Sequence, residues 1–408
     1  MSVGVVVCWV LGVICTLRVL VSVYPSVLPC LTSQRLRVDR EWWILVTGAT
    51  GGVGAALCHR IAMRGGRLII SSTTDAKLQL LRDALLASGA TAVEVLPLDL
   101  TLDSRTVRDT VTAAIQGKVL QGAFLNAGLG GMRCYQDMDP DAAHKMFQVN
   151  AASTFTLADT LYRVLVGQGQ GAERVEGLEG LEGVGYASHP SASDTGSGAA
   201  LLPLGGSDLV SPDTDADPRM NVCTPMTQAI DIYTPSAGEE GYMPGVTLDP
   251  RFLVFTGSLA DIMQGPNMTI YHASKRFITG MAQGLHSEGR RHKVSVHAVL
   301  PGSISGTSFY TRPGMVGQRP SSRVVSDLYT CWFQRAFSTP ASNVARVACN
   351  VVGTHTACCP VGLMALGGYA LHTVGGPNLT ALLTSLCYPI LEGVARMQHR
   401  GEGDGPVV

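Results

Sequence analysis

No charge of either sign dominates this chain. Its 30 Lys and Arg face 31 Asp and Glu, a formal net charge of -1. No global field therefore draws it to nucleic acid, and no nucleic-acid partner is expected. Paired C-x-x-C spacing is missing too: the 11 cysteines are odd in number and scattered, with only Cys358 and Cys359 adjacent. This argues against a disulfide framework or zinc site and for reduced thiols, and no metal is expected. Charge is nearly absent from the first 31 residues, where Arg18 is the sole charged side chain. VGVVVCWVLGVICTL and VLVSVYPSVLPCL can together cross a hydrocarbon core of about 30 Å if Arg18 snorkels. A cleaved signal peptide is the rival reading, but nothing basic precedes the apolar run and no small-x-small cleavage site follows it. Residues 1–31 are thus expected to be a membrane anchor. Arg35, Arg37 and Arg40 just beyond would keep the following domain cytosolic.

With 408 residues, 46% of them hydrophobic, the chain can bury a sizeable core. Trp42 opens a different pattern. WWILVTGATGGVGAALCHRIAMRGG predicts a short strand, a Gly-rich turn and a helix, followed by a strand at LIISS and a helix at DAKLQLLRDALLASG. VEVLPLDL and GAFLNAG predict the third and fourth strands, and PDAAHKMFQVNAASTFTLADTLYRVLV one long helix. RFLVFTGS, HASKRFITGMAQGLHSEG and VSVHAVLPG then give strand, helix and strand. Strands alternating with helices predict an α/β fold, a Rossmann-type doubly wound parallel sheet in one catalytic domain. Its first part spans 42–166 and its catalytic part 251–311.

Between them periodicity fails, and residues 167–250 read as a low-complexity, disordered surface insertion. EGLEGLEG within it is too brief an echo for a solenoid. Residues 312–397 are apolar and Gly-rich without an unbroken run of 18 apolar residues. A lid over the substrate mouth that faces the membrane is favoured there over a second crossing. Residues 398–408 read as a disordered tail.

Thr47 to Gly54, T-G-A-T-G-G-V-G, lies between a strand and a helix, where glycines permit a tight turn and close approach of backbone and helix N-terminus to a dinucleotide pyrophosphate. Asp99, ending the third strand, can accept from an adenine amino group. Asn126-Ala127-Gly128 ends the fourth strand, at the edge where such sheets bind ligands. The second strand ends Ser71-Ser72-Thr73-Thr74, with no carboxylate to repel a 2′-phosphate; this favours NADP(H), and NAD(H) is not excluded.

Tyr271 and Lys275 stand four apart on one helical face. An ammonium beside a phenol eases its ionisation, which suits Tyr271 to general acid or base work near neutral pH. Ser258 can hydrogen-bond a substrate oxygen, and Asn150 can hold a water beside Lys275. His286 and His292, near Arg290, Arg291 and Lys293, read as a solvated helix end.

These motifs, in this order, resemble the short-chain dehydrogenases/reductases over about 42–166 and 251–311. The resemblance implies a catalytic set of Asn150, Ser258, Tyr271 and Lys275. It implies cofactor contacts at Thr47, Gly48, Thr50, Gly51, Gly52, Val53 and Gly54, at Ser72 and Thr73, and at Asp99 and Leu100. Asn126, Ala127, Gly128, Tyr271, Lys275, Pro301, Gly302 and Ile304 complete the contacts. The family's threonine four residues after Gly302 is replaced by Gly306, so Ser305 or Thr307 would have to take over its contact.

The anchor and the PNMTIYHASKRFITGMAQGLHSEG segment resemble microsomal lipid reductases, above all the very-long-chain 3-ketoacyl-CoA reductases and hydroxysteroid dehydrogenases. What this implies is reduction of a hydrophobic ketone at the endoplasmic reticulum by a cytosol-facing domain, and a homodimer paired through the helices of Asn150 and Tyr271. Oxidation of a steroid or retinoid alcohol is the alternative, and a catalytically idle dinucleotide-binding scaffold the alternative of another class. Two sequons, at Asn267 and Asn378, test topology; a glycan on Asn267 would crowd Tyr271, which supports a cytosolic site.

Overall fold

The structure is a computed structural model; it describes residues 36–130, 135–175, 251–263, 265, 268–305 and 338–399, and Val13 besides. The expected anchor, most of the insertion and the tail lie outside them. Among the described residues, no helix is long and apolar enough to cross a membrane.

Five-residue runs of buried side chains make the first strand, β1 (Trp43–Thr47), and the pattern recurs in β4 (Leu120–Leu125), where every residue is buried. Such runs belong to a parallel sheet covered on both faces. β2 (Arg67–Ser72), β3 (Ala92–Pro97), β5 (Phe252–Thr256), β6 (Ser295–Pro301) and a later strand, β9 (Cys358–Val361), complete a seven-stranded sheet of order β3-β2-β1-β4-β5-β6-β9. All its pairings are parallel. A separate pair joins β7 (Ile304–Ser305) to β8 (Thr339–Pro340).

One face is covered by α1 (Gly52–Ala62), α2 (Asp75–Ala87) and α7 (Ala341–Asn350), whose Leu57, Ile61, Leu81, Val344 and Val347 share a core with Ile44, Phe124 and Phe252. The Phe124 and Phe252 rings meet at 5.0 Å. The other face is covered by α3 (Ser104–Ile115), α5 (Ser153–Val175) and α6 (Thr269–Gly289), through Val107, Leu157, Leu161 and Ile278. Asp103 caps α3, its carboxylate accepting from the Arg105 and Thr106 amides at 3.0 Å each.

Three features depart from the periodicity reading. The single helix expected around Asn150 is two, α4 (Pro140–Phe147) and α5, joined by a π-turn over Gln148–Ala152. Such wide turns look helical to a periodicity argument, which has no register to detect the extra residue. α5 also runs to Val175, so the segment expected to be low-complexity from residue 167 opens as helix. The third concerns the stretch assigned to a lid: α7 and β9 are part of the core, and β9 adds a seventh strand. Its CCPV is too short to stand out in an apolar, Gly-rich setting. Beyond it, α8 (Leu363–His399) breaks at Gly376, which takes φ 74° just before Pro377.

Candidate active site

Strand order reverses between β1 and β4, the two neighbours at the centre of the sheet. Ligands bind doubly wound sheets outside the carboxyl ends of the strands at such a switch point. The Gly-rich turn leaves β1 there, and Asn126 leaves β4 beside it. Gly48 has φ 63°, and a Cβ on it would lie 2.9 Å from the Ala127 Cα. A Cβ on Gly54 would lie 2.2 Å from the Gly48 carbonyl oxygen. The turn and the first turn of α1 are therefore pressed together as only glycines allow.

α1 starts from Gly51 with no side-chain cap and no acidic residue in its first turn. Its first amides and the positive end of its dipole would meet an anion with no carboxylate of the helix's own first turn in competition, which fits a pyrophosphate. Gly52 and Val53 begin this helix; the Val53 side chain is buried in the core, so its amide is what it presents. The Thr50 and Ser72 hydroxyls meet at 2.7 Å, tying the turn to the end of β2, and Thr73 is exposed next to them.

Some expected contacts act on the scaffold instead. Thr47 is 2% exposed, and its hydroxyl accepts from the Asn126 amide at 3.0 Å and the Ala127 amide at 3.2 Å. It stitches β1 to β4. The Asn126 side chain donates to the Gly48 carbonyl at 3.3 Å and accepts from the Thr256 hydroxyl at 3.2 Å. The exposed Asp99 carboxylate accepts from the Thr101 amide at 2.9 Å. That turn uses one oxygen, leaving the other toward solvent. Leu100 is buried, with its carbonyl taken by the Ser153 hydroxyl at 2.7 Å. Pro301 ends β6, the Gly302 amide donates to Val361 at 3.4 Å, and Ile304 pairs with Thr339. Residues 306–337, Thr307 among them, lie outside the described residues.

α6 brings Tyr271 and Lys275 to the same edge. Lys275 is 4% exposed and donates to the Thr256 carbonyl at 2.9 Å, with its Nζ 5.9 Å from the Tyr271 ring centroid. Burial pushes its ammonium down to about 8. Ser258, two residues past β5, is extended and opens the 3-10 turn Leu259–Asp261, its hydroxyl accepting from the Ala260 amide at 3.2 Å.

Asn150 lies fully buried in the π-turn. Its Oδ1 accepts from the Leu129 amide at 2.7 Å, while its Nδ2 donates to the Leu129 carbonyl at 2.8 Å and to the Ser274 hydroxyl at 3.1 Å. Both amide hydrogens are thus committed to protein, and one lone pair of Oδ1 remains for a water. Gly128 runs between: a Cβ on it would lie 3.2 Å from Lys275 Nζ and 3.3 Å from Asn150 Oδ1. Thr256, Ser274 and His272 also shape this site and were not anticipated. Thr256 could have been found, since it ends β5 two residues before Ser258.

A family model described as short chain dehydrogenase matches residues 42–173 and 252–312. The chain belongs to that family. Among curated relatives, the chain is 30% identical to a sulfoacetaldehyde reductase of Chromohalobacter salexigens over 131 residues, 32% of this chain and 51% of that protein. It is 26% identical to a very-long-chain 3-oxoacyl-CoA reductase of Meyerozyma guilliermondii over 89 residues, 22% of this chain and 26% of that one. The chain therefore spans about half the length, or less, of these relatives. The crystal structure of levodione reductase superposes with a TM-score of 0.53 at 17% identity, covering 82% of this chain and 99% of that one, which agrees in fold.

Proposed function

We propose that the chain is an NADP(H)-dependent oxidoreductase that reduces the ketone of a lipid-like substrate, a 3-oxoacyl-CoA or a steroid. The observation that carries this is the buried Lys275 beside Tyr271, at the sheet edge that also presents Ser258 and the uncapped α1. The glycine-lined turn and α1 would hold the dinucleotide, Ser72 and Thr73 its ribose end and Asp99 its adenine. When bound, the reduced cofactor supplies hydride.

The rest falls to the chain's own residues. Ser258 donates a hydrogen bond to the substrate oxygen, where negative charge gathers. Tyr271 gives that oxygen a proton through its phenol. Lys275, cationic below about 8, faces the phenolate left behind. A hydrogen bond to the Thr256 carbonyl keeps the ammonium from swinging away.

NADP(H) is supported by the absence of a carboxylate at the end of β2, and reduction by the names of both relatives. The 3-oxoacyl-CoA relative and the exposed Leu363, Leu379 and Leu382 on α8 support an apolar substrate. Anchorage through residues 1–31 to the endoplasmic reticulum, with the domain facing the cytosol, belongs to the same proposal. So does a homodimer through α5 and α6, where Phe155 and Phe277 are exposed.

The test is titration of the detergent-solubilised chain with NADPH and with NADH, with and without 3-oxoacyl-CoAs, steroid ketones and retinals. NADPH binding with substrate-dependent oxidation supports the reductase. Binding without turnover across all three classes favours the idle scaffold, and no binding of either cofactor overturns the reading.

A further inference from the structure

α6 carries a second pair of polar side chains one position after the first. Tyr271 and Lys275 are followed by His272 and Arg276, also four apart and turned about 100° around the axis. This second pair grips the segment that begins at Ser258. The His272 ring Nδ1 donates to the Ala260 carbonyl, and its Nε2 accepts from the Gly265 amide at 3.2 Å. Arg276 donates to Asp261 Oδ1 at 3.1 Å, and Asp261 is fully buried. Within the turn, the Asp261 amide donates to Ser258 at 3.1 Å and the Met263 amide to Leu259 at 3.0 Å. The segment is otherwise short and irregular, so nothing in its own ladder fixes its distance from α6.

Resting on the reading of Ser258 and Tyr271 as the catalytic pair, we propose that His272 is a positioning residue that sets the Ser258 hydroxyl against the Tyr271 phenol, one ring nitrogen donating to the turn and the other accepting from it. One helix turn would then supply the proton donor and hold the partner that must converge with it on the same substrate oxygen. Such convergence is demanding, because misplacement by about 1 Å can cost about two orders of magnitude in rate. His272 is 9% exposed, and its ring stands 6.5 Å from that of Tyr271.

Only one form of the imidazole serves both bonds: neutral, with hydrogen on Nδ1. Protonation at Nε2 removes the acceptor for the Gly265 amide. The charged group that acts on it is Asp261 on the turn, itself paired with Arg276 of the same helix as His272 and felt by His372 on α8; Lys275 stands three residues on along that helix. Burial holds the ring below its ordinary value, opposed in part by the Asp261 carboxylate. The neutral form therefore prevails at neutral pH, and the hold on the turn loosens only on the acid side.

The experiment compares wild type with His272→Phe, His272→Asn and Tyr271→Phe, as full chains with NADPH. Amide hydrogen exchange reads residues 258–265, and 3-oxohexadecanoyl-CoA is the turnover probe. Asn places its amide nitrogen where Nδ1 was and keeps the donor to Ala260; Phe keeps the ring and loses both bonds. His272→Phe should speed exchange in 258–265 about tenfold, with residues 43–62 and NADPH affinity unchanged. Its kcat should fall about tenfold with little change in KM, and His272→Asn should recover most of it. Wild-type exchange, corrected for its intrinsic rate, should rise at Gly265 as pH falls below the ordinary histidine value of about 6.5, and that of His272→Phe should not.

Unchanged exchange at 258–265 in His272→Phe overturns the proposal whichever ketone the enzyme takes, since that readout needs no turnover. Altered exchange with kcat unmoved also overturns it. Wild-type turnover in Tyr271→Phe sinks the reading of the catalytic pair instead, leaving the exchange result to stand for the hydrogen bonds alone.

Discussion

Lys275 sets opposing demands at a single residue. Its burial holds the ammonium at about 8, below the ordinary 10.5. A basic group depressed in this way destabilises the fold while charged, so its contribution to stability improves as pH rises from about 8 toward 10.5. Reductive turnover should run the other way, falling through about 8 as the cation facing the phenolate is lost. A rate profile beside a denaturation series over that range would show the two limbs diverging; parallel limbs would argue against this role. Tyr271→Phe should abolish turnover while NADPH affinity stays within about twofold, because the phenol is the proton donor and not part of the pyrophosphate cradle. Near-wild-type turnover would remove Tyr271 from the mechanism. Gly54→Ala should do the reverse of a catalytic lesion. With the new Cβ 2.2 Å from the Gly48 carbonyl, the turn must open, and NADPH affinity should drop before kcat does.

Among the elements, β6 carries an acid-sensitive tie. His297 is fully buried near its start, where Nδ1 donates to the Thr356 carbonyl at 2.7 Å and Nε2 accepts from the Ser295 hydroxyl at 2.5 Å. Ser295 in turn accepts from the Gly353 amide at 2.8 Å, so the loop leading into β9 hangs on this ring. Burial holds the imidazole down to about 3, from an ordinary 6.5, with His286 adding to the shift. The sign follows from linkage: the contribution is complete above pH 6.5 and is lost progressively as pH falls toward 3. His297→Gln should lower stability at neutral pH by about 1–3 kcal/mol through unpaired polar groups. Its disadvantage should shrink on acidification, because it has no proton to take up. Urea midpoints at several pH values would test this, and a gap that widens in acid would refute it.

For the whole molecule, the question is how the fold closes across residues 176–250. Arg251, 6% exposed, donates to the Leu165 carbonyl at 2.7 Å and to the His292 carbonyl at 3.3 Å, binding the start of β5 to α5 and to the 3-10 turn Arg290–His292 that follows α6. The core is thus joined on both sides of that stretch by contacts of its own. Removing residues 176–248 should leave a folded chain that binds NADPH, whereas loss of cooperative unfolding would show that the stretch belongs to the domain. Trimming from the other end has a definite limit as well. Gln121, fully buried in β4, donates to the Arg37 carbonyl at 2.5 Å and accepts from the Asp39 amide at 3.0 Å. A chain starting at Leu36 keeps these bonds. It should stay folded, and if residues 1–31 are the anchor the full chain should sediment with vesicles while this shortened one stays in the supernatant; the same partition for both would argue against the anchor.

The sequence by itself determined the parallel sheet, the switch-point turn and the Tyr271-Lys275 spacing, because each is local: a run of buried side chains, glycines between strand and helix, two residues one turn apart. Tertiary structure alone decided the rest. Asn150 sits in a π-turn and is committed to Leu129, and no periodicity reports an extra residue in a helix. β9 is a strand because Ala298 to Pro301 offer it a parallel edge, which its own CCPV does not announce. Thr47, Asn126 and Thr256 became a single hydrogen-bonded seam only when β1, β4 and β5 lay side by side. Their partners stand 79 and 130 positions apart in the chain, and at such separations pairing is set by how the layers pack.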